Sequence, residues 1–377
     1  MSRWGRYCHF VFVLFALLAP VLATAEPLAV IPFDLISSRA VIPVSINGSP
    51  PLNFVFDNAS GGTILHSATA EALGIGGAPP LIIGGGVAVS EDAIAAPEGA
   101  IVMSGDAIAV PEGAVVMSED AIAVPEGAIV VEGDGMQITE GDTTLAVGFV
   151  AGSSGMVMSG QSSTADVSLG GLALTDVELS MLPLTHITMP SGEPIDGIIG
   201  YDILKAHVVE VDNDAGELRV FDRDTYVPSD GATAHEVTHI FGNVAQPCVS
   251  GELLLPGGES VSGMFVLDAG AGAHVVFNTP FVREHGLVEK LGGADAATSM
   301  AKGVTPDETP TVSGTVERFT FCGFVVDDVP VTMNQGTTGF LASEGYAGVI
   351  GNRVLSGYNI AYDYAGGVVY LEPLGAR

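Results

Sequence analysis

The run Met264-Phe-Val-Leu-Asp-Ala-Gly-Ala-Gly-Ala-His-Val-Val-Phe277 is an apolar segment, one acid, a turn of small residues and a second apolar segment. An Asp that closes a hydrophobic strand and is followed by Ala269, Gly270, Ala271 and Gly272 has its carboxylate at a tight bend, where small residues permit close backbone approach. The pattern occurs once before, 211 positions upstream, as Asn53-Phe-Val-Phe-Asp57-Asn-Ala-Ser-Gly-Gly-Thr-Ile-Leu65. A second block is duplicated as well. Pro194-Ile-Asp-Gly-Ile-Ile-Gly-Tyr-Asp-Ile-Leu204, with the strand pair 208–211 and 218–221, returns as Tyr346-Ala-Gly-Val-Ile-Gly-Asn-Arg-Val-Leu355 with strands 359–363 and 367–371. Its offset of 151 pairs Gly200 with Gly351 and Asp212 with Asp363. The chain therefore reads as two copies of one β-rich unit, with 60 extra residues between the motifs of the first copy.

Most of that surplus is an internal repeat over 90–131, of period fourteen: SEDAIAAPEGAIVM, SGDAIAVPEGAVVM, SEDAIAVPEGAIVV. A proline in each unit excludes one long helix. Val110-Pro111-Glu112-Gly113 fits a type I turn between strand-like apolar quartets, so the segment is expected to form a β-meander or a small solenoid inserted in the first lobe. The acidic corners offer oxygen ligands for calcium, but they meet no known calcium-repeat signature and are read as turns facing water.

Length and composition agree with two ordinary β-rich domains. The 377 residues are 47% hydrophobic and 15% charged, with 50 Gly and 22 Pro. The formal net charge is −32, and no Lys or Arg stands between Arg39 and Lys205, which excludes a phosphate-binding nucleic-acid protein. Arg3 and Arg6, the apolar run Phe10 to Leu22 and Ala23-Thr24-Ala25 read as an export signal over 1–25, and the protein is expected in the periplasm or outside the cell. The apolar run is too short for a stable membrane span. The expected lobes are 27–225 and 226–377, joined by a polar linker over 222–236. Cys248 and Cys322 fit either a disulfide or two reduced thiols.

Two equivalent acids on duplicated lobes meet if the lobes pack about a pseudo-two-fold axis. Two carboxylates that close cannot both ionise, so the pair holds one proton over a wide acidic range. The ionised member then polarises a water while the protonated one donates to a carbonyl oxygen, which is amide hydrolysis without a cofactor or metal.

At these residues the sequence resembles the retropepsin-like aspartic proteases, notably bacterial exported proteins with two such units in one chain. Phe54-Val-Phe-Asp57 and Phe265-Val-Leu-Asp268 match the catalytic strands, and Ile198-Ile199-Gly200 and Val349-Ile350-Gly351 match the hydrophobic-Gly elements packed behind them. The resemblance implies an all-β, two-lobed pair of acid-protease barrels with short helices. It further implies a monomer acting on a peptide or protein substrate, with Asp57 and Asp268 catalytic and Asn58, Ser60, Ala269 and Ala271 lining the substrate site. By analogy, Gly152 to Gly160 and Thr298 to Gly314 are substrate-covering flaps. The departures fall beside the acids. The family has Thr or Ser after each Asp, whose hydroxyls brace the turns against each other; here stand Asn58, which can donate and accept, and Ala269, which cannot. Ala59 replaces a Gly, which is expected to displace a backbone amide from the carboxylates. A catalytically impaired peptide-binding protein retaining the fold is therefore the alternative.

Other readings are weaker. His235-Glu-Val-Thr-His239 matches the HExxH zinc pattern, which works only on a helix. Val237, Thr238 and Ile240 predict a strand, where the two histidines stand about 13 Å apart, too far to share a metal. No ordered Cys–His pairing supports a cysteine nucleophile. A third, structural reading makes the acidic repeats the functional part, in adhesion or ion binding.

Overall fold

The computed structural model describes residues 26–76, 81–83, 87–89, 101–103, 115–117, 129–131, 136–140, 143–151, 156–159, 163–240, 246–292, 298–303, 308–337 and 339–375. The expected signal segment, the acidic corners of the repeats, the turn at Val110 and the tips of both expected flaps lie outside these residues. Among the described residues no helix is long and apolar enough to cross a membrane.

The apolar runs before each acid form strands buried on both faces, as continuous hydrophobic strands require. In Leu52–Phe56 the last three side chains are buried, and in Ser260–Asp268 so are Phe265, Val266 and Leu267. After Asp57 the chain turns and comes back as Thr63–His66, leaving a gap one strand wide. Gly197–Ile199 fills it, parallel to the outgoing strand and antiparallel to the returning one. The second half repeats this with Ser260–Asp268, Val275–Phe277 and the inserted strand Gly348–Gly351. The returning strand pairs in parallel with Leu172–Leu182 in the first lobe and with Phe324–Asn334 in the second. These ψ-shaped units sit in sheets of seven and eight strands.

A six-stranded antiparallel sheet joins the halves in the order Ala29–Pro32, Glu217–Phe221, Val208–Asp212, Tyr358–Asp363, Val368–Pro373, Thr233–Glu236. Its central registers are Val209 with Tyr362, Glu210 with Ala361 and Val211 with Ile360. Residues 151 positions apart are duplicates, so these pairings are exchanged by a two-fold axis through the Glu210 and Ala361 pair. The outer pairings obey the same rule: Ala29 faces Val220, and Thr233 faces Leu371. One hydrophobic core runs through both lobes and includes Phe54, Phe56, Phe265, Phe277, Phe319 and Tyr362. The helices are short: Ser67–Ala72, Tyr201–Leu204, Thr279–Glu284 and Asn352–Leu355. The molecule thus has the two-lobed, all-β architecture of the pepsin-like proteases.

The repeats settle on one of their two expected forms. Strands Val87–Val89, Ile101–Met103, Val115–Met117 and Ile129–Val131 pair in parallel, each residue facing the one fourteen positions away. A meander pairs antiparallel; this is a solenoid stack. A separate sheet of Met136–Glu140, Thr143–Ala151, Met156–Ser159 and Leu81–Ile83 accompanies it.

The HExxH segment is extended. His235 and Glu236 lie on Thr233–Glu236, paired with Val368–Pro373, Val237 connects, and Thr238 and His239 belong to the strand Thr238–Ile240. Cys248 and Cys322 are both free thiols.

Candidate active site

Each acid is delivered by its strand and held by its own turn. Asp57 Oδ1 accepts the Ala59 amide at 2.9 Å, and Asp268 Oδ1 accepts the Ala271 amide at 2.8 Å. Both aspartates are half-buried residues. The inserted strands lock the turns from behind. Asp57 N donates to Ile199 O at 3.0 Å. The residues after Gly200 and Gly351 donate to the third residue after each Asp, Tyr201 N to Ser60 O at 3.2 Å and Asn352 N to Ala271 O at 2.7 Å. No side chain fits at these glycines: a Cβ on Gly200 would lie 1.8 Å from Asp57 O, and one on Gly351 would lie 2.4 Å from Ala273 O.

The Ala59 amide is not displaced. Its methyl packs against the cluster of Cys248, Val266, Tyr346 and Val349, leaving the N–H on Asp57. The position that does demand glycine is 270, where a Cβ would stand 2.2 Å from Asp57 Cγ. That contact sets the second turn against the first acid and brings the two motifs together across the lobe boundary.

Asn58 spans that boundary. Its Nδ2 donates to Leu267 O at 2.8 Å and its Oδ1 accepts the Ala269 amide at 2.7 Å, so one side chain grips both peptide groups flanking Asp268. Ala269 offers nothing in return. Instead Tyr364, from the turn after Tyr358–Asp363, donates its hydroxyl to Asn58 O and accepts from Asn58 Nδ2 at 3.1 Å. Asn58 is fully buried and Ala269 is 3% exposed, so neither presents surface to a ligand; Ser60 and Ala271 are half-buried beside the acids.

The electrostatics are those of a crowded pair. Burial, and then the charge of Asp268, push the Asp57 carboxyl well above the ordinary carboxylate range, against the amides of Ala59 and Ser60 and the charge of Arg39. Burial also raises Asp268, opposed by the Ala271 amide, Arg39 and the Gly270 amide. The buried Tyr362 phenol feels both acids and is raised in turn, by burial first. Such a pair titrates in two steps that belong to it jointly, with a singly protonated state between them.

Sequence reasoning missed Tyr364, Arg39 and Gln246. Tyr364 and Gln246 carry no local signal, because the groups they meet are brought to them only by the lobe packing. Arg39 carried a faint one, as the last cation before a long stretch without any.

No family model matches the chain, and none of the curated proteins matches it. Among solved structures, the aspartic proteinase from Irpex lacteus aligns at 12% identity over 92% of this chain and 97% of that one, with a TM-score of 0.43.

Proposed function

We propose that the protein is an exported aspartic endopeptidase, periplasmic or secreted, that hydrolyses peptide bonds of peptide or protein substrates through a water activated by Asp57 and Asp268. One observation carries the reading: two acids on two-fold related turns, each held by amides of its own turn, on half-buried residues and coupled electrostatically. The water's proton passes to the ionised carboxylate as its oxygen bonds the carbonyl carbon, and the other aspartic acid protonates the carbonyl oxygen. Collapse of the resulting gem-diol breaks the C–N bond, returns one proton to the first acid's partner and delivers the other to the leaving amine. The chain acts as a monomer whose two lobes supply one acid each.

A second reading, a peptide binder that keeps the fold without turnover, draws on the alanine at position 269, which leaves the brace one-sided. Cleavage of a mixed peptide library across both raised steps of the pair, from acid to mildly alkaline pH, with the native protein and with Asp268→Asn, separates the two. Cleavage that is abolished in the variant is the expected result. Saturable peptide binding without products, unchanged by the substitution, sinks the protease reading in favour of the binder.

A further inference from the structure

Arg39 is the group at the dyad that this mechanism has not used. It opens strand Arg39–Ile46, directly after Ser37 and Ser38, whose positive φ values of 50° and 62° make the tight turn of the hairpin from Asp34–Ile36. The hairpin tip is seated on the other lobe's acidic turn. Arg39 Nε donates to Gly270 O at 2.7 Å, Asn352 Nδ2 donates to Ser38 O at 2.9 Å, and a Cβ on Gly272 would lie 2.5 Å from Ser37 O and 3.1 Å from Arg39 Nη1.

The strand registers identify the two-fold mate of Arg39. Val41 faces Val55, and Cys248 faces Val266; each faced residue lies two before its Asp. Two residues before Val41 stands Arg39, and two before Cys248 stands Gln246. Gln246 Nε2 donates to Ala59 O at 3.3 Å, and Ala59 and Gly270 are the second residues after their acids. Both lobes therefore make the same cross-lobe hydrogen bond. An amide suffices for it in one direction, so the charge in the other is additional.

That charge is placed on one side of the pair. Among the described residues no carboxylate lies within ion-pair distance of Arg39. The charged and titratable groups that face it are Asp268, then Asp57, and the like charge of Arg353, which in turn neighbours His274; Tyr362 lies against both acids. Its bond fixes the guanidinium on the Asp268 turn, at the peptide two residues beyond that acid, while the two-fold equivalent bond on the Asp57 turn comes from the neutral Gln246.

We propose that Arg39 is a positioning residue that decides which aspartate carries the dyad's proton: its one-sided cation holds Asp268 ionised and leaves the proton on Asp57. Within the protease reading, on which the catalytic consequence rests, Asp268 takes the proton from water and Asp57 donates to the carbonyl oxygen. The proton placement itself requires no turnover.

The test follows the Cγ resonances of Asp57 and Asp268 through a pH titration of the full-length, 13C-labelled protein, each resonance assigned by its Asp→Asn variant. In the native protein, Asp268 is expected to ionise in the first step and Asp57 in the second. Arg39→Gln copies Gln246, keeping the hydrogen bond and losing the charge. It is expected to raise the first step by about one pH unit, the lower end of the effect of a nearby opposite charge, and to erase the preference between the acids; Arg39→Lys keeps both. A first ionisation at Asp57 in the native protein overturns the proposal without any variant having to fold, as does an Arg39→Gln titration that superimposes on the native one. If the titration follows the expected order while no peptide is cleaved, the proton placement stands and the protease reading falls.

Discussion

Replacing Asn58 by Ala removes the side chain that holds the Asp268 turn to the Asp57 turn. Three bonds go with it: Nδ2 to Leu267 O, the Ala269 amide to Oδ1, and Nδ2 to the Tyr364 hydroxyl. Asn58 is 0% exposed, so no water takes their place at once, and the Leu267 carbonyl and Ala269 amide are left unpaired in the interior. A buried group stranded in this way costs about 1–3 kcal/mol. Two of them give about 4 kcal/mol, a large share of the roughly 5–15 kcal/mol that holds a domain together. Urea unfolding followed by far-UV circular dichroism reads the loss. Asn58→Asp sharpens the experiment: it keeps the acceptor for Ala269 but turns the donor into an anion aimed at the Leu267 carbonyl. The Asp variant should therefore be less stable than the Ala variant at pH 7, with the gap narrowing as pH falls and the new acid is protonated. A loss below about 1 kcal/mol in Asn58→Ala, or no pH dependence in the difference between the variants, refutes the bracing role.

Gly200→Ala should be more damaging than its one added methyl suggests, because the Cβ would lie 1.8 Å from Asp57 O and the acidic turn must move; cleavage falls at least a hundredfold, as about 1 Å of misplacement can cost, with the folded yield measured alongside. Tyr364→Phe loses the hydroxyl on both sides of Asn58 and is expected to cost about 1–3 kcal/mol in urea unfolding. The raised dyad makes stability fall as pH climbs from about 3.9, the ordinary carboxylate value, through the folded-state value, since the native state there binds more protons than the unfolded one. Asp268→Asn takes away one raised acid and its charge beside Asp57, which burial still raises, so it should flatten that slope in part and be more stable than the native protein at pH 8 by about 1–2 kcal/mol, a figure discounted for partial exposure, with no advantage at pH 3. Deleting one whole repeat, residues 104–117, lets Ile129–Val131 pair with Ile101–Met103 in the same register and should leave cleavage unchanged. Loss of cleavage on that deletion shows that the solenoid contributes to the site.

The duplication was legible because each of its parts is local. An acid after an apolar run, a small-residue turn and a glycine after two β-branched residues are patterns of adjacent positions, and their offsets of 211 and 151 reappear in the strand registers. Strand direction was not legible in the repeats, because three-residue apolar runs satisfy parallel and antiparallel pairing equally. Around the acids, side-chain chemistry could be read only as capacity. Asn58 plainly offered a donor and an acceptor, but Tyr364 stands 306 positions away and meets it through packing alone. The same holds for Arg39 and Gly270, separated by 231 positions. Ala59 misled for the opposite reason: a missing glycine predicts strain, yet the turn directs the methyl into an apolar cluster and keeps the amide on Asp57.

The central claim is that Asp57 and Asp268 act as one unit holding one proton. A potentiometric comparison of the native protein with the Asp57→Asn/Asp268→Asn double variant counts that proton directly. Between its two steps, both of which burial lifts above the ordinary carboxylate value of about 3.9, the native protein should retain one proton more than the double variant, and below the first step two more. No excess proton above pH 5, or two carboxyls releasing their protons independently near pH 3.9, contradicts the account.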